Sequence, residues 1–110
     1  MTIKETQSLV YRTAQSKGWY ASPPDADKIG AQLALIHSEV SEALECLREL
    51  RMSTYCGPDG KPEGFAIELA DAAIRIMNTM SWLGYDLETA IETKNKYNAK
   101  RERLHGNKAL

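Results

Sequence analysis

The stretch from Phe65 to Gly84 constrains the fold of this 110-residue chain more than any other. At about 100° per residue, Phe65, Leu69, Ala72, Ile76, Met80 and Leu83 fall on one stripe, which predicts an amphipathic helix. Ile67 and Ile74 lie on the opposite side, so this helix is apolar on two faces and is expected to be buried. Between those faces run Glu68, Asp71, Arg75 and Asn78. Two carboxylates three residues apart are neighbours on a helix surface and repel each other. Burial strengthens that repulsion, because low dielectric and lost hydration both penalise like charges. A positive partner is required, and a divalent cation is the economical candidate.

Upstream, Asp25 or Asp27 can cap a long helix predicted to run to about Met52. Ile29, Leu33, Ile36, Val40, Ala43, Leu44, Leu47 and Leu50 form its apolar stripe, which is the face expected to enter the core. Beside that stripe runs a second line, Leu35, Glu39, Glu42 and Cys46, so Glu39 and Glu42 border the core on a partly apolar flank. Taken alone, an E-x-x-E pair on a helix is more often a solvated surface feature than a site.

A first helix is expected from Thr2 to about Lys17, stopped by Gly18 and the loop that ends in Pro23-Pro24. Trp19 and Tyr20 in that loop either plug the bundle or offer a platform to a planar ligand. The segment from Ser53 to Lys61 is a turn built on Cys56-Gly57-Pro58-Asp59-Gly60. Asp86 caps a fourth helix that extends to about Arg103. Its inward line starts apolar at Leu87 and Ile91 and becomes Lys94, Asn98, Arg101 and His105. A polar run of this kind either leaves the core or faces a polyanion. The tail Leu104 to Lys108 could fold over the same site. No strand-like alternation is evident. The reading is all-α: one domain over residues 1–110, a four-helix bundle with its second and third helices antiparallel. Four helices cannot cover both apolar sides of the third, so a homodimer is expected, with that helix near the interface.

Composition removes several function classes. A net charge of −1 gives no field to attract a nucleic acid polymer or an anionic membrane. No apolar run reaches the length of a membrane span, and Met-Thr-Ile-Lys-Glu does not begin a signal peptide. Cys46 and Cys56 sit in unlike contexts and read as reduced thiols of a cytoplasmic protein. Zinc is disfavoured, with only two Cys and two scattered His.

Glu39/Glu42 and Glu68/Asp71 share one spacing on helices expected to be neighbours. Four hard oxygen donors suit Mg²⁺ or Mn²⁺, and Mg²⁺ is usually completed by substrate phosphates, which matches the basic end of the fourth helix. The segments Ile36 to Glu45, Lys61 to Gly64, Glu68 to Arg75 and Lys94 to Arg101, with His105-Gly106, resemble the MazG-type nucleotide pyrophosphohydrolases. These belong to the all-α nucleoside triphosphate pyrophosphatase group, with dimeric dUTPases and phosphoribosyl-ATP pyrophosphatases. The resemblance spans residues 25 to 108.

The resemblance implies Mg²⁺-dependent hydrolysis of a nucleoside triphosphate between its α- and β-phosphates, by a homodimer or a dimer of dimers. Glu39, Glu42, Glu68 and Asp71 would hold the metal, with Glu39 or Glu42 as the catalytic carboxylates. Lys94, Asn98 and Arg101 would hold the pyrophosphate, and Trp19, His37 and Trp82 are candidates to stack on the base. The family often places an Asp seven residues after the E-x-x-D aspartate, where this chain has Asn78. That departure bears on the number of metal ions. Two rival readings are a non-catalytic nucleotide-binding protein of the same fold and a purely structural helical dimer.

Overall fold

The computed structural model describes residues 1–101. The expected turn of the tail, with His105 and Gly106, lies outside the described residues. The fold is all-α: α1 (Ile3–Ser16), α2 (Ala26–Arg48), α3 (Phe65–Trp82) and α4 (Leu87–Lys100). Three of the four helices start at side-chain caps. The Thr2 hydroxyl accepts the Glu5 N–H while the Glu5 carboxylate accepts the Thr2 N–H, a reciprocal capping box. Asp25 accepts the Lys28 N–H at 2.8 Å to start α2, and Asp86 accepts the Glu88 N–H to start α4.

α2 stops at Arg48 rather than near Met52. Glu49 is its C-cap, and Leu50 turns into the left-handed region at φ 58°, which ends helical hydrogen bonding. The connection to α3 also contains a feature absent from the sequence reading. Two-residue strands β1 (Tyr55–Cys56) and β2 (Pro62–Glu63) pair antiparallel around the Gly57–Gly60 turn, Tyr55 opposite Glu63 and Cys56 opposite Pro62. Gly64 follows as the N-cap of α3 at φ 118°, pressed against the backbone of Ser53. A Cβ there would collide with the Ser53 carbonyl oxygen, and an L-residue would be strained at that φ in any case.

α3 is the hub, packing against both α1 and α2. Residue 39 faces 75 and residue 42 faces 68, so α2 and α3 run antiparallel. Buried Gln7 anchors the far end. Its amide nitrogen donates to Ser81 Oγ and to the Tyr85 carbonyl, while its oxygen accepts the Leu87 N–H and so fixes the start of α4 on α1. Beyond Glu88 every described residue of α4 is exposed.

The core differs from expectation in which face of α2 it uses. The buried apolar residues are Ala43, Cys46 and Ala72, and no large side chain among the described residues is fully enclosed. The flank carrying Leu35, Glu39 and Cys46 faces inward. The stronger stripe is split: Ala43 is buried and Ile29 and Ile36 are half-buried, but Leu33, Val40, Leu44 and Leu47 are each between 47% and 50% exposed. Leu69, Ile74 and Ile76 of α3 are exposed too, so the expected full burial of that helix is not met by one chain. The periodicity identified both stripes. It did not say which one a single copy covers.

Candidate functional site

The antiparallel packing of α2 on α3 brings the acid pairs together. Carboxylate oxygens of Glu39, Glu42 and Glu68 all lie within 4.8 Å of one another. Asp71, one turn along α3 from Glu68, is outside that group but close enough to feel it. Its carboxyl is pushed above the usual range first by burial, then by the negative charges of Glu39 and Glu68, against the pull of Arg75 and Lys61. Glu42 is pushed up to about 7, chiefly because it shares a hydrogen bond with Glu68, with burial and the Glu39 charge adding to the effect. A proton held between Glu42 and Glu68 relieves the repulsion.

The positive partner that the clustered carboxylates require is partly supplied by the chain itself. Arg75 Nε donates to Glu39 Oε1 at 2.9 Å, and the Glu39 side chain is only 12% exposed. The sequence placed Arg75 on the same row as the acids but not its partner, 36 residues away. One guanidinium cannot balance four carboxylates, and Glu39 retains a second oxygen. The donor set still fits a hard divalent cation.

Asn78 lies on the same side of α3 as Asp71 and Arg75. It is buried on α3 at 5% exposure, its Oδ1 has no hydrogen-bond partner, and it lines a cavity of about 420 Å³ between α1 and α3. Asp71 and Arg75 line the same cavity, which therefore adjoins the acidic cluster. The two aromatic residues of the α1–α2 loop divide the roles proposed for them. Tyr20 is the plug, its ring 5.7 Å from Tyr11 and 5.5 Å from Trp82. Trp19 stands at the cavity, 52% exposed. Trp82 is committed to structure, its indole N–H donating to the Ser22 carbonyl at 3.0 Å. His37 is exposed on α2 and lines neither the cavity nor the cluster.

The basic face of α4 is not assembled with the acids in one chain. α4 docks on α1, and among the described residues no ion pair joins Lys94 or Arg101 to any of the four carboxylates. Both cations instead lie over the Tyr97 ring of their own helix, at 5.0 and 5.8 Å. Asn98 is exposed beside them.

The shared proton gives a pH dependence. Glu42 holds its proton more tightly folded than unfolded, where its pKa is the ordinary 4.5. This contribution to stability is therefore fully present below about 4.5 and is lost as pH rises through about 7. Asp71 acts in the same direction. Because Glu42 is exposed, solvent screening reduces the effect to on the order of 1 kcal/mol. Melting of metal-free protein from pH 5 to 8 is expected to show this loss relative to Glu42→Gln; parallel curves would contradict the shared proton.

No family model, no curated protein and no solved structure matches the chain.

Proposed function

We propose that this protein is a Mg²⁺-dependent nucleoside triphosphate pyrophosphohydrolase. One observation carries the reading: Glu39 and Glu42 of α2 meet Glu68 of α3 with carboxylate oxygens within 4.8 Å of one another, and Asp71 lies one turn along α3 at the wall of a cavity of ligand size. Glu39, Glu42, Glu68 and Asp71 would hold Mg²⁺, or Mn²⁺ in its place. Bound there, the ion supplies charge neutralisation for the phosphates and a lowered pKa for water. One of these carboxylates, Glu39 or Glu42, not fully committed to the metal, would take the proton of the attacking water. The bond between the α- and β-phosphates breaks, and pyrophosphate leaves.

Purified protein given each common NTP and dNTP should release the nucleoside monophosphate and pyrophosphate. EDTA should stop the reaction, and Mg²⁺ or Mn²⁺ should restore it. Release of diphosphate and inorganic phosphate, or no turnover of any nucleotide, would refute the assignment.

The same reading includes a homodimer, or a dimer of dimers. Its support is the set of large apolar side chains left exposed on the two packed helices, Leu33, Val40, Leu44 and Leu47 on α2 and Leu69 and Ile76 on α3, more than monomers usually leave open. Lys94, Asn98 and Arg101 would then meet the leaving pyrophosphate across the dimer. Sedimentation at micromolar concentration should give at least twice the 12.3 kDa chain mass, and a monomer would refute it.

A second reading, a non-catalytic helical dimer with or without nucleotide binding, is favoured by the Arg75–Glu39 pair, which places a permanent cation among the acids. The product assay and the Mg²⁺ responses argued below separate the two.

A further inference from the structure

We infer that Arg75 is a phosphate-binding residue: while its Nε holds Glu39, the free ends of its guanidinium grip the phosphate chain of a metal-bound polyphosphate. The inference rests on the nucleotide reading of the acidic cluster. It adds a residue that belongs neither to the acid pairs nor to the basic face of α4.

Three observations meet at this side chain. The first is the unused part of its fork. Arg75 Nε donates to Glu39 Oε1 at 2.9 Å, and among the described residues its Nη1 and Nη2 donate to no protein acceptor. Nor are they sealed in the interior. The side chain is 28% exposed, and the buried side-chain polar atom without a partner among the described residues is Asn78 Oδ1, not an arginine nitrogen. A guanidinium presents its N–H donors as a planar fork that matches the oxygens of a phosphate.

The second observation is position. Arg75 touches the cluster through Glu39 and also lines the cavity between α1 and α3, so it stands where the carboxylates meet open space. Asp71, one turn before it, is near enough for the arginine charge to oppose the upward shift of its carboxyl, yet the two form no ion pair. The guanidinium is therefore not claimed by a second carboxylate.

The third is charge. Among the described residues Arg75 is the one cation ion-paired with any of the four carboxylates. The Glu39 bond fixes the plane of its fork, so little side-chain freedom is lost when an anion binds. A positive charge at this place acts in opposite senses on the two ligands. It weakens the attraction of the carboxylates for a lone divalent cation and strengthens the hold on the anion that accompanies it.

Inorganic triphosphate tests the residue apart from the reaction, since it offers the phosphate chain without base or sugar. The full chain would be titrated calorimetrically with Mg²⁺ alone, and then with triphosphate in excess Mg²⁺. Arg75→Gln removes the charge and the fork but keeps an N–H donor for Glu39. It is expected to bind Mg²⁺ alone at least as tightly as the parent, and triphosphate about 10-fold or more weaker. Arg75→Lys keeps the charge without the fork. It should bind triphosphate less tightly than the parent at unchanged Mg²⁺ affinity, and it carries the test if Arg75→Gln does not fold. An Arg75 that only positions Glu39 would lose both ligands in parallel. That result would overturn the proposal, as would unchanged triphosphate affinity in the variants or no triphosphate binding by the parent at millimolar concentration. Weakened triphosphate binding in Arg75→Gln, with no nucleotide hydrolysed by the parent, would uphold the residue's role and remove the proposed reaction. Hydrolysis by the parent with unchanged triphosphate binding in Arg75→Gln would do the reverse.

Discussion

Glu42→Gln is expected to abolish pyrophosphate release, by about 10²-fold or more if Glu42 takes the water's proton, and at the same time to raise the melting temperature of metal-free protein above neutral pH. These effects have opposite signs for one reason. Glu42 shares a proton with Glu68 and lies against Glu39, so once that proton is lost its charge is repelled from two sides. A neutral amide of nearly the same shape removes the repulsion, worth on the order of 1 kcal/mol for an exposed group, or a few degrees in Tm. The variant should also lose most of the stabilisation that Mg²⁺ gives the parent, since that shift measures metal bound only to the folded state. A solvated Glu42 would behave differently. Its substitution would change stability by less than about 0.5 kcal/mol, and both proteins would respond alike to Mg²⁺. Four melting curves decide the matter.

Arg75→Leu is expected to be the most damaging single change to the metal-free fold. The guanidinium donates at 2.9 Å to a carboxylate that is almost out of solvent, and its removal leaves Glu39 without a counter-charge beside Glu42 and Asp71. Hydrogen bonds to charged groups are worth about 1.5–3 kcal/mol, and an orphaned buried charge adds to the loss. A decrease of about 10 °C in Tm follows for a chain of this size. The diagnostic part is recovery. If the carboxylates form a cation site, millimolar Mg²⁺ supplies the missing positive charge and should restore much of the lost Tm, a larger gain than in the parent. If they do not, Arg75→Leu stays destabilised in Mg²⁺, and the cluster is an ion-paired packing feature.

The helices and the acid pairs were legible in the sequence because each is a local property. Periodicity places Glu68 and Asp71 on one row, and capping residues such as Asp25 and Asp86 mark where helices begin. What periodicity lacks is the register between helices. Arg75 was visible on the acid row, but its pairing with Glu39 depends on how α2 slides along α3. The end of α2 was overestimated because Leu50 continues the apolar stripe, and nothing in its side chain announces a left-handed backbone. Strands of two residues are too short to alternate, so the hairpin left no periodic signal. The α2 stripe is an apolar face in the sequence, but a pattern of side chains carries no information on how much of that face packs inside the chain.

Gly64 has a consequence for how this chain can drift in length. Gly64 lies against the Ser53 backbone, and the Phe65 N–H donates to the Arg51 carbonyl, so the helix begins its count at a fixed point in space. Each residue of a helix advances its phase by about 100°. One residue inserted between Gly64 and Glu68 would therefore swing Glu68 away from Glu42, however stable the helix remained. An insertion at Gly60, in the solvent-exposed turn, would lengthen the loop and leave the count untouched. Within four residues, the connection passes from a stretch where its length is free to one where its length sets which residues of α3 face Glu42.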